Sequence, residues 1–358
     1  LWSFEELGEG HSSVGIGKEQ LFVTGMIDTT GVLFAFSLEG DLLWKKEYGT
    51  EWYQNYRGTR STPVVVGDLV YFESGQGVVY CYHTKTGELI WKVELFEKFN
   101  AENIQWGVAE SLLIDGNTIL CTPGGPKNNV VALDRFNGET QWTSSGNRQP
   151  AAYCSPLLIK HNNTRLLVTM TAESVIGIDA ETGRFYWSIE QKQDYNIHAN
   201  TPVYHMGKIL CSSESGRAHP TGTVQIQLSD NGRRAEVCWR DERISNLMGG
   251  FILRDGYVFG SIYNKSDWYC LDWETGETKY VSDVLKSGVI VYADGLFYCY
   301  THRGDMALVE ADEHEFKVIS SFEVPLGTKQ HWAHPVIDTG RLYIRHGNAL
   351  MVYDIEAQ

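Results

Sequence analysis

Polar turns interrupt the apolar runs of this chain at regular intervals, and each interruption carries the same order of residues. A small residue, an apolar residue and an Asp precede three spacers ending in Asn or Thr, then Gly, and four positions later a large aromatic ring. Ala132-Leu133-Asp134 with Gly138 and Trp142 fits this order, as do Gly177-Ile178-Asp179 with Gly183 and Trp187 and Cys270-Leu271-Asp272 with Gly276 and Tyr280. Cys81-Tyr82-His83 with Gly87 and Trp91 is a fourth copy, and Ala35-Phe36-Ser37 with Gly40 and Trp44 is a fifth, one residue shorter in its turn. Weaker copies span 225–239 and 307–322. An Asp oxygen accepts backbone N–H groups and Gly supplies the positive φ that closes a hairpin, so each copy predicts a pair of strands. The ring then falls on the outer strand, where it fills the wedge between neighbouring sheets.

The anchors Trp44, Trp91, Trp142, Trp187, Trp239, Tyr280 and Phe322 recur about every 45 residues, the length of one four-stranded propeller blade. An eighth repeat begins at His334-Pro335 and ends at Gln358 before any aromatic anchor, whereas the chain opens with Leu1-Trp2-Ser3-Phe4. The pattern therefore predicts an all-β, eight-bladed β-propeller of four-stranded antiparallel blades, comparable in architecture to WD40 proteins. It forms one domain over residues 1–358, with the N-terminal strand completing the last blade and Trp2 as the eighth anchor.

Composition agrees: 11 Trp, 19 Tyr and 36 Gly against 9 Pro suit strands joined by tight turns. A formal charge of −15 with no basic run excludes nucleic acid as a partner. No apolar stretch approaches the roughly 18 residues that span a bilayer. The chain begins at Leu1 with neither an initiator Met nor a signal peptide, which is expected of a trimmed secretory or lipoprotein leader or of a chosen boundary. Asn162-Asn163-Thr164 and Asn264-Lys265-Ser266 are sequons of the kind that arise by chance. The 7 cysteines include no CxxC and no adjacent pair. Cys81 and Cys270 share the small-residue column, while Cys121, Cys211 and Cys299 are assigned to one second-strand column, so they read as buried hydrophobes without disulfides.

The small-apolar-Asp turn followed by Gly and Trp resembles the PQQ-like repeat, seen in quinoprotein alcohol dehydrogenases and in the BamB lipoprotein of outer-membrane assembly. The resemblance covers nearly the whole chain and is specific for fold, since many members bind no quinone. It implies a periplasmic, outer-membrane-anchored or extracellular protein. The quinoprotein members place adjacent cysteines over the quinone and hold calcium with carboxylate and amide ligands. This chain lacks the adjacent pair, so no cofactor, and no PQQ with calcium, is expected.

In such a propeller the loops entering the innermost strands ring one mouth of the axial funnel, where function usually resides. Arg57, Arg60, Trp106, Glu110, Tyr153, His198, Asn200, Asn246, His331, Trp332 and His334 stand just before those strands. This set suits a polar ligand or saccharide, or the surface of a protein partner; side chains that merely hold water are the plain alternative. His331, His334 and His198 have no fixed ligand spacing, so no metal site is assigned. No GxSxG, HExxH or GxGxxG motif marks a catalytic centre, and catalytic residues stay unassigned. Acid–base work by Glu110, Tyr153 or a channel His stays open. The favoured reading is a non-catalytic ligand- or protein-binding propeller acting as an assembly scaffold. A carbohydrate-active lyase or hydrolase with its site in the funnel is the alternative, ahead of a PQQ-dependent dehydrogenase.

Overall fold

The computed structural model describes residues 1–265 and 267–356; Ser266, the hydroxyl position of the second sequon, lies outside the described residues. The chain is an eight-bladed β-propeller of four-stranded antiparallel sheets. Blades one to seven occupy 15–50, 64–94, 113–144, 157–190, 203–241, 251–282 and 288–323. Blade eight combines 336–354 with Trp2–Phe4. The predicted closure is present: Trp2 pairs with Val352, Ser3 with Met351 and Phe4 with Leu350. Among the described residues helix is confined to Leu95–Phe99 and the short turn Tyr263–Lys265.

Chain contacts divide the protein into two compact units. One comprises Leu1–Cys121, Ala132–Gln141 and the chain from Val324 onward; the other comprises Thr122–Val131 and Trp142–Glu323. In both, aromatic anchors lie against the turn glycine of the following blade, Trp44, Trp91, Trp142 and Trp239 with the ring itself over the glycine. A Cβ on Gly87 would stand 2.9 Å from the Trp44 ring, one on Gly138 2.9 Å from Trp91, one on Gly183 2.5 Å from Trp142, and one on Gly276 2.6 Å from Trp239. Several indoles also donate across the same gap, Trp44 to the Thr84 carbonyl at 2.9 Å, Trp91 to Arg135 at 3.0 Å and Trp187 to Gly232 at 3.1 Å. The repeat therefore does two things at once: its Gly closes one hairpin and makes room for the preceding blade's ring.

Strand register corrects two assignments. The anchor stands opposite the small-residue column, as in Ala35 with Trp44, Cys81 with Trp91 and Gly177 with Trp187. In blade seven Ala307 faces Ser321, so that blade has no aromatic anchor, and Phe322, one position on, is 40% exposed. Because strand side chains alternate, a shift of one residue turns the ring outward. Likewise Cys299 pairs with Ala307, one position before the column that holds Cys211 opposite Val224. Among the described residues the seven cysteines form no disulfide, six of them being buried and Cys238 exposed.

Candidate functional site

In six of the blades the second strand carries a polar residue two positions after the one that faces the small-residue column. Thr24, Glu73, Ser212, Ser261, Thr301 and Arg345 occupy this column. All six are at most 4% exposed, and Glu73 and Arg345 place charge where four other blades place a small hydroxyl and blade four places Met170.

In the first unit, Trp52 roots the loop that carries Arg57 and Arg60. It is 4% exposed and its indole N–H donates to the Asn55 carbonyl at 2.9 Å. Gly75 and Gly107 approach it so closely that a Cβ on either would lie 2.7 Å from its side chain; Trp106 stands half-buried beside the latter. Arg57 pairs with Glu9 at 3.2 Å and donates to the carbonyls of Tyr53 and Asp28. Arg60 lies 5.8 Å over the Trp52 ring and donates to the carbonyls of Gly58 and Tyr56. Trp332 sits between His11, at 5.1 Å, and Tyr56, at 5.2 Å, so that the 324–335 and 51–60 loops meet through rings. His331 stacks on His346 at 3.7 Å. His334 is exposed, and its carbonyl accepts from the Ser13 hydroxyl at 2.7 Å.

Arg345 lies beneath this cluster, 2% exposed. Its Nη1 donates to Ser12, to the Thr24 carbonyl at 2.6 Å and to the Thr59 hydroxyl, and its Nε to the Gly347 carbonyl at 3.0 Å. Burial pushes the guanidinium down to about 9. Burial, with Arg60, Arg345 and His346 adding repulsion, holds His11 down to about 3, the Arg57 backbone opposing.

Three carboxylates of the same unit are sealed: Glu51, Glu73 and Glu110 are 1%, 4% and 2% exposed. Glu51 accepts from the Tyr48 hydroxyl and from the N–H groups of Trp52 and Gly75, each at 2.7 Å. Burial nevertheless raises its pKa, and burial together with Glu110 and Glu51 raises that of Glu73 well above the usual range.

In the second unit, His198 is wholly buried. Its Nδ1 lies 2.7 Å from the Ser213 hydroxyl and its Nε2 3.0 Å from the Ala172 carbonyl. The carbonyl fixes the proton on Nε2, leaving Nδ1 to accept from Ser213, the geometry of a nucleophile and its base. Two facts disarm it: Ser213 is also wholly buried, and desolvation lowers His198 to about 4. Asn200 donates to the Asn246 carbonyl at 2.7 Å and accepts from Gly250 N–H, while Asn246 accepts from Gly249 N–H. Tyr153 is 8% exposed, its N–H donating to the His198 carbonyl. These four residues thus tie the inner loops of neighbouring blades to one another. Among the described residues no group of three or more His, Cys, Asp or Glu is placed to hold a metal ion.

His11, Tyr56, Ser213 and Arg345 were not among the sequence candidates. Arg345 and Glu73 do leave a signal, a charge in a column that four other blades fill with Thr or Ser, visible once the repeats are aligned. His11 and Tyr56 leave none, because irregular loops carry no repeat.

Comparison with known proteins places these features in context. The family described as outer membrane protein assembly factor BamB matches residues 29–282. The BamB of Kangiella koreensis is 24% identical over 213 residues, covering 58% of this chain and 50% of that protein. The chain spans about half the length of the curated relatives it matches. Among solved structures, BamB from Moraxella catarrhalis superposes with a TM-score of 0.67 at 14% identity, covering 100% of this chain and 99% of that one. Sqt1 of Saccharomyces cerevisiae superposes with a TM-score of 0.69 at 12% identity, covering 100% and 99%. At these identities the structural likeness concerns the fold alone.

Proposed function

Because this chain belongs to the family of the outer membrane protein assembly factor BamB, we propose that it is a non-catalytic, protein-binding propeller that serves outer-membrane protein assembly. Its place is then the periplasmic face of the outer membrane. Among the described residues no helix is long and apolar enough to cross a membrane.

One contrast carries the reading. Five groups suited to chemistry, His198, Ser213, Glu51, Glu73 and Glu110, are all at most 4% exposed, while of the mouth histidines His331 is stacked on His346 and His334 reaches solvent. The groups that reach solvent are those of contact surfaces, with Tyr53 45% and Tyr56 50% exposed beside Arg57, Arg60 and Trp332. A lyase or hydrolase would need the reverse, an accessible nucleophile or base with a tuned pKa.

Site-specific photo-crosslinking in the host envelope tests this. A crosslinker at Tyr56 should yield a defined adduct with an outer-membrane assembly component, while one at Met206, 84% exposed on the second unit, should not. Equal or absent adducts at both positions would remove Tyr56 and its neighbours as the contact surface. Polysaccharide cleavage abolished by Ser213→Ala would overturn the non-catalytic reading.

A further inference from the structure

Arg345 presents an electrostatic account that does not close. A guanidinium keeps its charge in proteins, and burying it is costly unless a counter-charge and a full set of acceptors repay the lost hydration. Arg345 forms no ion pair among the described residues, and its Nη2, shielded from solvent, has no acceptor. Gly10 lies directly beside that nitrogen, a Cβ there standing 2.1 Å from it. Glu51, the carboxylate linked to this region through Tyr48, spends its oxygens on Tyr48, Trp52 and Gly75.

His11 adds a second unfilled position. Both its ring nitrogens are shielded and neither meets a partner at full hydrogen-bond geometry, although the Arg57 backbone lies near enough to favour the protonated ring. Its surroundings are cationic, with Arg60, Arg345 and His346 all acting on it. His346 points both ring nitrogens at carbonyls, Leu326 at 2.8 Å and Lys329 at 3.1 Å, and so offers no acceptor to its neighbours. The immediate surroundings of His11 and Arg345 Nη2 thus hold donors without acceptors and positive charge without a paired carboxylate.

The cover over this pair is made of loop side chains. Trp332 lies tilted against His11 and Tyr56 tilted against Trp332, and neither belongs to a strand. Tyr56 and Lys329 have φ of 50° and 73°, the left-handed region that non-glycine residues enter at a cost and that clusters at sites of ligand control.

We propose that Arg345 and His11 form an oxyanion-binding site, closed by the packed rings of Trp332 and Tyr56. An oxyanion, carboxylate or phosphate in kind, accepts from Nη2 of Arg345 and from the N–H of His11, and its charge balances the buried guanidinium. Entry requires the two rings to swing aside, which the strands beneath permit because no backbone ladder holds either ring. The site is independent of the assembly reading and would stand if that failed.

Titration of the intact chain with sodium sulfate, phosphate and acetate, at ionic strength held constant with chloride, tests it. Binding should be saturable in the millimolar range, raise the melting temperature and change tryptophan fluorescence, the last being lost in Trp332→Phe. Sulfate and phosphate acting without acetate assigns a tetrahedral anion; acetate acting alone assigns a carboxylate. Arg345→Met should abolish the response. Should that variant not fold, His11→Ala should weaken binding at least tenfold, and the Arg345 side-chain nitrogen resonances of the parent should shift on titration. An equal response to chloride, an unchanged response in His11→Ala, or unmoved Arg345 resonances would overturn the site.

Discussion

The indole N–H of Trp2 donates to the carbonyl of Leu38 at 3.1 Å, and the same ring covers Gly40, where a Cβ would stand 2.6 Å from it. Trp2 therefore does for the last blade what Trp44 does for the first, although it lies at the opposite end of the chain from the strand it completes. Its ring also stacks on Phe36 at 6.0 Å, joining the cluster of Phe34, Phe36, Leu350 and Val352.

Removing the first six residues should expose the strand Ala349–Asp354 as an open edge. Its amides should exchange faster and the protein should associate through that edge. Unchanged protection at Met351 and Val352 would show that the strand is held without its N-terminal partner.

Trp187 is 6% exposed and bonded to Gly232. Trp187→Ala should cost about 3–5 kcal/mol, the usual range for truncating a buried aromatic. A denaturant midpoint equal to that of the parent would remove its role as a spacer between blades.

Two glycines separate backbone strain from packing. At Gly256, with φ +84°, a Cβ would have no neighbour within 4 Å, while at Gly183, with φ +73°, it would face Trp142 at 2.5 Å. Gly256→Ala should cost about 1 kcal/mol for the positive φ alone. Gly183→Ala should cost roughly 1–3 kcal/mol more, because the ring must move. Equal losses in chemical denaturation would mean that the ring yields freely.

His198 should make stability depend on pH. Its folded pKa of about 4 lies below the ordinary 6.5, so the native state binds fewer protons than the unfolded chain across that interval. The stability it carries is intact above pH 6.5 and falls as the pH drops toward 4, with about 2 kcal/mol gone by pH 5. Glu51 and Glu73, with raised pKa values, act in the opposite sense, losing their contribution as the pH rises. The measurement is accordingly the difference between parent and His198→Gln, whose stability should vary less over this interval. Parallel curves would show that the imidazole does not titrate with unfolding.

PQQ with calcium should not bind at sub-micromolar concentration, since no two cysteines are adjacent and the described residues hold no metal-ligating group of three. Quinone absorbance retained through gel filtration, with dye-linked alcohol oxidation, would reverse this expectation.

Blade number, the hairpins and closure by the first strand were legible in the sequence because each repeat must solve the same local problem. A Gly takes the positive φ, and a ring four residues later fills a gap of fixed width, so Gly183 and Trp187 announce their positions without reference to the rest of the chain. Where the ring is missing, the pattern misled: Phe322 lies one residue from the column, and only pairing with the neighbouring strand reveals that Ser321 holds it. The site was less legible. Arg57, Arg60 and Trp332 were found from their place before an inner strand, but that rule is blind to burial, and it grouped them with His198 and Asn246, whose side chains are spent on internal bonds. Tertiary structure decided which polar groups face solvent, and it brought Arg345 onto Ser12 across 333 residues of chain, beside His11 and beneath the rings of Trp332 and Tyr56. Such contacts depend on how irregular loops from separate blades fold over one another, and no local periodicity encodes that.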